Sequence, residues 1–235
     1  MSTPERDIDP LRRDFVLAAL AAGLFSLAPH ARVRAQDAAG ARSIHRLRGQ
    51  VKVNGAAASA VTVIRGGDLV ETGADGEVVF SVEQDAFILR SNARLQLTPP
   101  AGASAVVEGL RVFTGALLSV FGKRRHRIET AVATIGIRGT GVYVEVEPDQ
   151  DYVCTCYGVT ELASIDDRES RETVDAGRHD ARYILKSGAA GARIRAAPFK
   201  NHTDAELTLI ESLVGRVPAF GGGYDDYERP RRRTY

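Results

Sequence analysis

Cysteine, net charge and long apolar runs are all scarce in this sequence. Two cysteines among 235 residues are too few for a disulfide framework, and a chain of this length can bury a full core without one. The formal charge is +1, from 31 basic and 30 acidic side chains. That near balance provides no global field to attract nucleic acid or anionic lipid. No stretch reaches the roughly 20 apolar residues that a bilayer-spanning helix needs. Enzyme signatures are missing too: there is no Gly-x-Ser-x-Gly elbow, no His-Glu-x-x-His and no Walker loop, which points to a non-catalytic protein. Gly139 and Gly141 start like a dinucleotide fingerprint, but the third glycine is absent and strand-forming residues follow where a helix is required.

The amino terminus has the form of an export signal. Arg12 and Arg13 precede a modest apolar run from Phe15 to Ala28, and Val33-Arg34-Ala35 offers small residues for cleavage before Gln36. Residues 1–35 are therefore expected to be a twin-arginine-type signal that directs the chain to a bacterial periplasm and leaves no stable membrane span after cleavage. Removing them takes away five of the 31 basic and four of the 30 acidic residues, leaving 26 of each. Residues 36–43 follow as a small-residue and polar linker.

From residue 44 onward, apolar residues alternate with polar ones. Val51 and Val53, Val61 and Val63, then Val78, Phe80 and Val82 each repeat at period two. Turn dipeptides separate them at Asn54-Gly55, Gly66-Gly67 and Asp75-Gly76. Such spacing predicts a mainly β protein, with a twisted solenoid-like stack or a sandwich of short strands equally compatible with the periodicity. In Thr130 to Gly158, Gly136, Gly139 and Gly141 punctuate β-branched residues, so this segment is expected to form strands broken by tight bends.

That block, Thr-Ala-Val-Ala-Thr-Ile-Gly-Ile-Arg-Gly-Thr-Gly-Val-Tyr at 130–143, resembles the end of a FecR domain, the periplasmic sensing module of iron-uptake regulators. Gly136, Arg138, Gly139, Thr140 and Gly141 carry the resemblance. Val51 to Gly55, Ile64 to Asp68 with Val70 to Gly73, and Phe87 to Arg90 are similar to that family's opening strands. The likeness implies a FecR-like β domain over 44–165 acting as a non-catalytic binding or sensing module, with an envelope protein or a small ligand as partner and an iron-related regulatory setting. The family's usual cytoplasmic anti-sigma segment and membrane anchor are not visible here. Arg138, flanked by glycine, is expected to lock the last turn of the domain by bonding carbonyls or one carboxylate.

Cys154 and Cys156 are the residues with chemistry to offer. On a regular strand they share a face with Cα atoms about 6.6 Å apart, which disfavours a bond that wants Cβ atoms near 3.8 Å. A tetrahedral metal relaxes that demand, since it spaces two sulfurs about 3.8 Å apart; a bulge in the strand would favour the bond instead. Of the histidines at 45, 126, 179 and 202, His179 and His202 are the better companions. Asp180 is placed to orient the His179 imidazole, and His202 sits at a helix start beside Asp204. Cys154, Cys156, His179 and His202 thus form a candidate site for a transition metal such as zinc. A disulfide, packed free thiols and a redox pair remain as alternatives, the last unsupported by any Cys-x-x-Cys.

Residues 166–219 form a carboxy-terminal extension with strand text at Glu172 to Val174 and Arg182 to Leu185. One helix is expected over 204–215: Thr203 and Glu206 make a capping box, Leu207, Ile210, Leu213 and Val214 form an apolar stripe, and Gly215 and Pro218 end it. Residues 220–235 are expected to be a flexible basic tail. The run from Lys123 to Arg127 is expected to be a solvated loop or hairpin tip, and Asp149, Asp151, Asp166, Asp167 and Glu169 to be solvated loop carboxylates. No aromatic interleaving supports nucleic-acid binding.

Overall fold

The computed structural model describes residues 43–102 and 107–220; the expected signal and the tail beyond Phe220 lie outside the described residues. The first seven strands are β1 (Ile44–Arg48), β2 (Val51–Val53), β3 (Ala56–Ala57), β4 (Leu69–Thr72), β5 (Glu77–Val82), β6 (Asp85–Leu89) and β7 (Arg94–Thr98). Three long strands, β8 (Gly109–Val120), β10 (Ala133–Val146) and β11 (Gln150–Ser164), follow with β9 (Arg125–Glu129) between the first two. The chain continues with β12 (Arg171–Ala176), β13 (Asp180–Leu185), β14 (Ile194–Ala197) and a single helix, α1 (Asp204–Leu213). It is a mainly β protein with one short carboxy-terminal helix among the described residues.

The strands form one continuous sheet that folds over on itself, because the three long strands each change partners midway. The amino-terminal half of β8 pairs with β7 and β9, and its other half with β6 and β10. Likewise β10 pairs first with β9 and then with β8, while β11 pairs first with β13 and then with β12. The crossings fall at Gly115, Gly139 and Gly158, all with left-handed φ (78°, 56° and 84°). A bend of this kind at a bulge is how a strand passes between two packed parts of a sheet. The glycine-rich block is therefore one 14-residue strand that bends without breaking, since its ladder with β11 resumes on both sides of the irregularity between Arg138 and Gly141.

Two apolar clusters result. Inward residues such as Phe80, Phe87, Leu95, Leu117, Ile128 and Val144 fill the space enclosed by the folded sheet. The opposite face of β5, β6, β8, β10 and β11 presents Val79, Ile88, Leu118, Tyr143 and Tyr152 to a second cluster, to which α1 contributes Leu207 and Ile210. Each fully buried aliphatic or aromatic side chain here contributes about 1.5–3 kcal/mol relative to exposure. The strand β6 is buried at all five positions, as expected when both faces are covered.

The basic run is part loop and part strand: Lys123 and Arg124 are exposed in a bend, as expected, and the rest is not a loop. Arg125, His126 and Arg127 lie in β9, where alternation turns the two arginines outward and buries His126 against Phe121, ring centroids 4.7 Å apart. Two of the carboxylates expected to be solvated are also buried. Asp151 accepts a hydrogen bond from Thr130, and Asp167 accepts from Ser170 and from the Gly191 N–H. The Asp167 carboxylate thereby satisfies the backbone N–H groups of Glu169 and Gly191.

Candidate metal centre

Strand β11 runs between the two apolar clusters and is buried from Asp151 to Tyr157. Its register with β10 slips at Cys156: Thr155 faces Val142, while Tyr157 faces Gly141. Alternation turns Tyr152, Cys154 and Cys156 toward the second cluster, and the bulge adds Tyr157 to the same face. The expectation that a bulge would bring the sulfurs together as a bond is not met, for both cysteines are free thiols. Both are wholly buried.

The two histidines arrive from different elements. His179 occupies the turn between β12 and β13 with left-handed φ (42°), and its N–H donates to the Cys156 carbonyl at 2.9 Å. That hydrogen bond pins the turn beside the thiols. His202 lies in the connection from β14 to α1, immediately before the Thr203 N-cap, and stacks on Tyr143 at 4.5 Å. The donor atoms of Cys154, Cys156, His179 and His202 all fall within 4.8 Å of one another. Nδ1 of His179 stands 3.8 Å from the Cys154 sulfur, and Nε2 of His202 stands 3.3 Å from the Cys156 sulfur. A tetrahedral ion with metal–sulfur bonds near 2.3 Å and metal–nitrogen bonds near 2.0–2.1 Å spaces such pairs by about 3.6 Å.

The outer nitrogens of both rings are engaged. Nε2–H of His179 donates to Asp204 at 2.7 Å, and Nδ1–H of His202 donates to the Lys200 carbonyl at 2.8 Å. In the neutral tautomers these contacts require, the lone pairs of His179 Nδ1 and His202 Nε2 face the sulfurs. Outer contacts of this type hold metal-ligating imidazoles in place. The orienting carboxylate is Asp204 at the start of α1, not Asp180, which pairs with Arg182 instead. Asp180 opens β13 directly after the His179 turn, and its carboxylate is taken up by Arg182 of the same strand. Asp204 also pairs with Arg178.

The electrostatics favour a first thiolate and oppose a second. Cys154 is held well below the usual thiol range by a hydrogen bond from Cys156, with His179 and His202 adding to the effect against burial. Cys156 is pushed up by burial and by Cys154. Burial lowers His179, but Cys154 and Asp204 outweigh it and the net shift is upward. The line Cys154, His179, Asp204 has the order of a thiol-activating relay. With the Cys154 side chain wholly enclosed, however, no substrate reaches its sulfur in this conformation. Phe199 lies over both imidazoles, at 4.3 Å from His179 and 4.7 Å from His202, and closes the site with an aromatic wall.

The other motif residues lie elsewhere. Gly136, Arg138, Gly139, Thr140 and Gly141 are all in β10, and Arg138 donates to Glu161 at 2.7 Å on an exposed surface. His45 approaches Ser81 at 2.8 Å, and His126 is in the core. An open cleft of about 700 Å³ floored by Gly109 and Gly136 includes Arg111, Arg125, Arg127 and Arg138 in its lining, and none of the four metal candidates.

The chain matches no known family profile and no curated protein. Two crystal structures of a candidate anti-sigma factor from Parabacteroides distasonis ATCC 8503 are similar to part of it. Both have 10% identity and a TM-score of 0.44, over 55% and 57% of this chain and 58% and 60% of those chains. The chain thus spans less than two thirds of their length.

Proposed function

We propose that this chain is a non-catalytic binding module that holds one divalent transition metal, zinc by preference, through Cys154, Cys156, His179 and His202. The observation that carries this is the convergence of four soft or borderline donors within 4.8 Å, drawn from a strand, a turn and a helix entry. Both imidazoles are already committed on their outer nitrogens, so their inner lone pairs are the atoms left to ligate.

Charge balance favours a dication. Two thiolates and two neutral imidazoles sum to the opposite of a 2+ ion, giving a neutral complex in an apolar surround, where an unbalanced charge is costly. Cysteine and histidine at tetrahedral spacing suit zinc better than magnesium or calcium, which prefer oxygen. Four protein ligands leave no position open for water, so the metal has a structural or sensing role rather than a hydrolytic one.

The setting we infer is the bacterial periplasm, reached by the twin-arginine-type signal in residues 1–35. That route carries folded proteins, so the thiols meet metal in the reducing cytoplasm before export. The FecR-like segment then supplies a β scaffold that presents a surface to an envelope protein partner. Elemental analysis of protein purified without a metal-binding tag should find about one zinc per chain, lost in Cys154→Ser. A folded protein with no stoichiometric transition metal after incubation with zinc would overturn the proposal.

A further inference from the structure

We propose that metal occupancy and docking of helix α1 onto the β core are a single linked equilibrium, so the centre works as a latch for the segment from Phe199 to Phe220. This rests on the reading that the four residues hold a metal. Three consecutive residues make the coupling direct: His202 is a ligand, Thr203 caps the helix through the Glu206 N–H, and Asp204 orients the second histidine. A metal held by Cys154 and Cys156 on β11 therefore fixes the first turn of α1 in place.

The remaining attachments of α1 are apolar and ionic: Leu213 and Val214 pack on the second cluster, Arg178 pairs with Asp204, and Arg216, held by Glu211, donates to the Gln84 carbonyl. Leu207 and Ile210 are buried in the second cluster, Arg90 donates to Glu206 at 2.5 Å, and Tyr157 donates to Glu211. A helix of 10 residues is marginal by itself in water and persists only while docked. The surface beneath it is apolar, formed by Ile88, Leu118 and the face of β11 around the thiols. Loss of metal removes the coordinate tie between β11 and His202, which keeps its stacking on Tyr143 and its bond to the Lys200 carbonyl, and leaves α1 on its apolar and ionic contacts. The segment then opens more often and uncovers that surface, a behaviour drawn from the least stable part of a fold. By reciprocity, anything that loosens α1 weakens metal binding by the same factor.

Hydrogen–deuterium exchange on the full chain, zinc-loaded and chelator-treated, tests both directions together with zinc affinity by chelator competition. On metal removal, protection of amides 204–213 is expected to fall about tenfold or more while β6 and β8 keep theirs. Arg90→Gln, which removes the Glu206 contact and touches no ligand, is expected to lower zinc affinity several-fold. Stoichiometric zinc binding with unchanged protection of α1 would overturn the latch and leave the metal assignment standing. Failure of the folded chain to bind zinc at all would overturn both.

Discussion

Asp204 accepts the Nε2–H of His179 at 2.7 Å, and through that contact a residue of α1 sets which nitrogen of a distant turn faces the Cys154 sulfur. Removing the partner of a metal-ligating imidazole typically costs 10–100-fold in affinity. Asp204→Ala is therefore expected to weaken zinc binding by about that factor, and Asp204→Asn by less, because its amide oxygen still accepts the bond. Chelator competition ranks the two. Equal affinities for wild type and Asp204→Ala would contradict the assigned role.

Gly141 is where β10 passes beneath the ring of Tyr157. A Cβ built there would stand 2.5 Å from one ring carbon of Tyr157 and 3.1 Å from Leu207. Gly141→Ala must push the ring toward the helix, so we expect a loss of about 1–3 kcal/mol in stability. Chemical denaturation measures it, and a neutral outcome would mean that Tyr157 repacks freely.

A second buried pair, Asp85 and His126, makes a pH prediction. Burial lifts Asp85 to about 6, against the Gly122 N–H that it accepts. Its side chain lies 3.6 Å from His126, which burial, with Arg124 adding to it, pushes down to about 4. An acid whose folded value is raised binds its proton more tightly in the folded state, so its contribution is present below about pH 4 and is lost as the pH rises through 6. His126 titrates with the opposite sign, and the two partly cancel in the wild type. Stability of wild type relative to Asp85→Asn should therefore fall by up to about 3 kcal/mol between pH 4 and 6. A flat difference curve would show that Asp85 is not held protonated.

The Thr203 cap offers a milder test of the same helix. Its side chain accepts from the Glu206 N–H, and the Glu206 carboxylate accepts from the Thr203 N–H. Thr203→Ala is expected to cost about 1 kcal/mol, or about 2–4 °C in melting temperature for a protein of this size.

Much of this arrangement is legible in the residues themselves. The capping box at Thr203 and Glu206 is a local signal, and period-two alternation marks β7, whose Leu95 and Leu97 are buried while Arg94 and Thr98 are exposed. Cys154, Cys156, His179 and His202 can be picked by residue type, although their spacing of 2, 23 and 23 positions matches no compact signature. What cannot be read locally is anything that depends on pairing partners. The choice of Asp204 over Asp180 required knowing that β14 delivers the start of α1 to the β12–β13 turn. The burial of His126 within a run of five basic residues required knowing that β9 packs on Phe121. The midway change of partner in β8, β10 and β11 is likewise invisible to alternation, because each half-strand has the same period.

The placement of Cys154 and Cys156 on β11, ahead of both histidines, bears on the order in which the chain is made. The two sulfurs are laid down on β11 well before His179, and earlier still than His202, which follows β14. A chain interrupted before residue 179 would possess its thiols without either nitrogen, and one interrupted between 180 and 201 would still lack that of His202. Such fragments would carry unprotected cysteines, whereas the finished molecule hides them beneath Phe199 and α1. Thiol labelling would thus distinguish complete chains from incomplete ones, making the centre a mark of finished synthesis as well as a place to bind an ion.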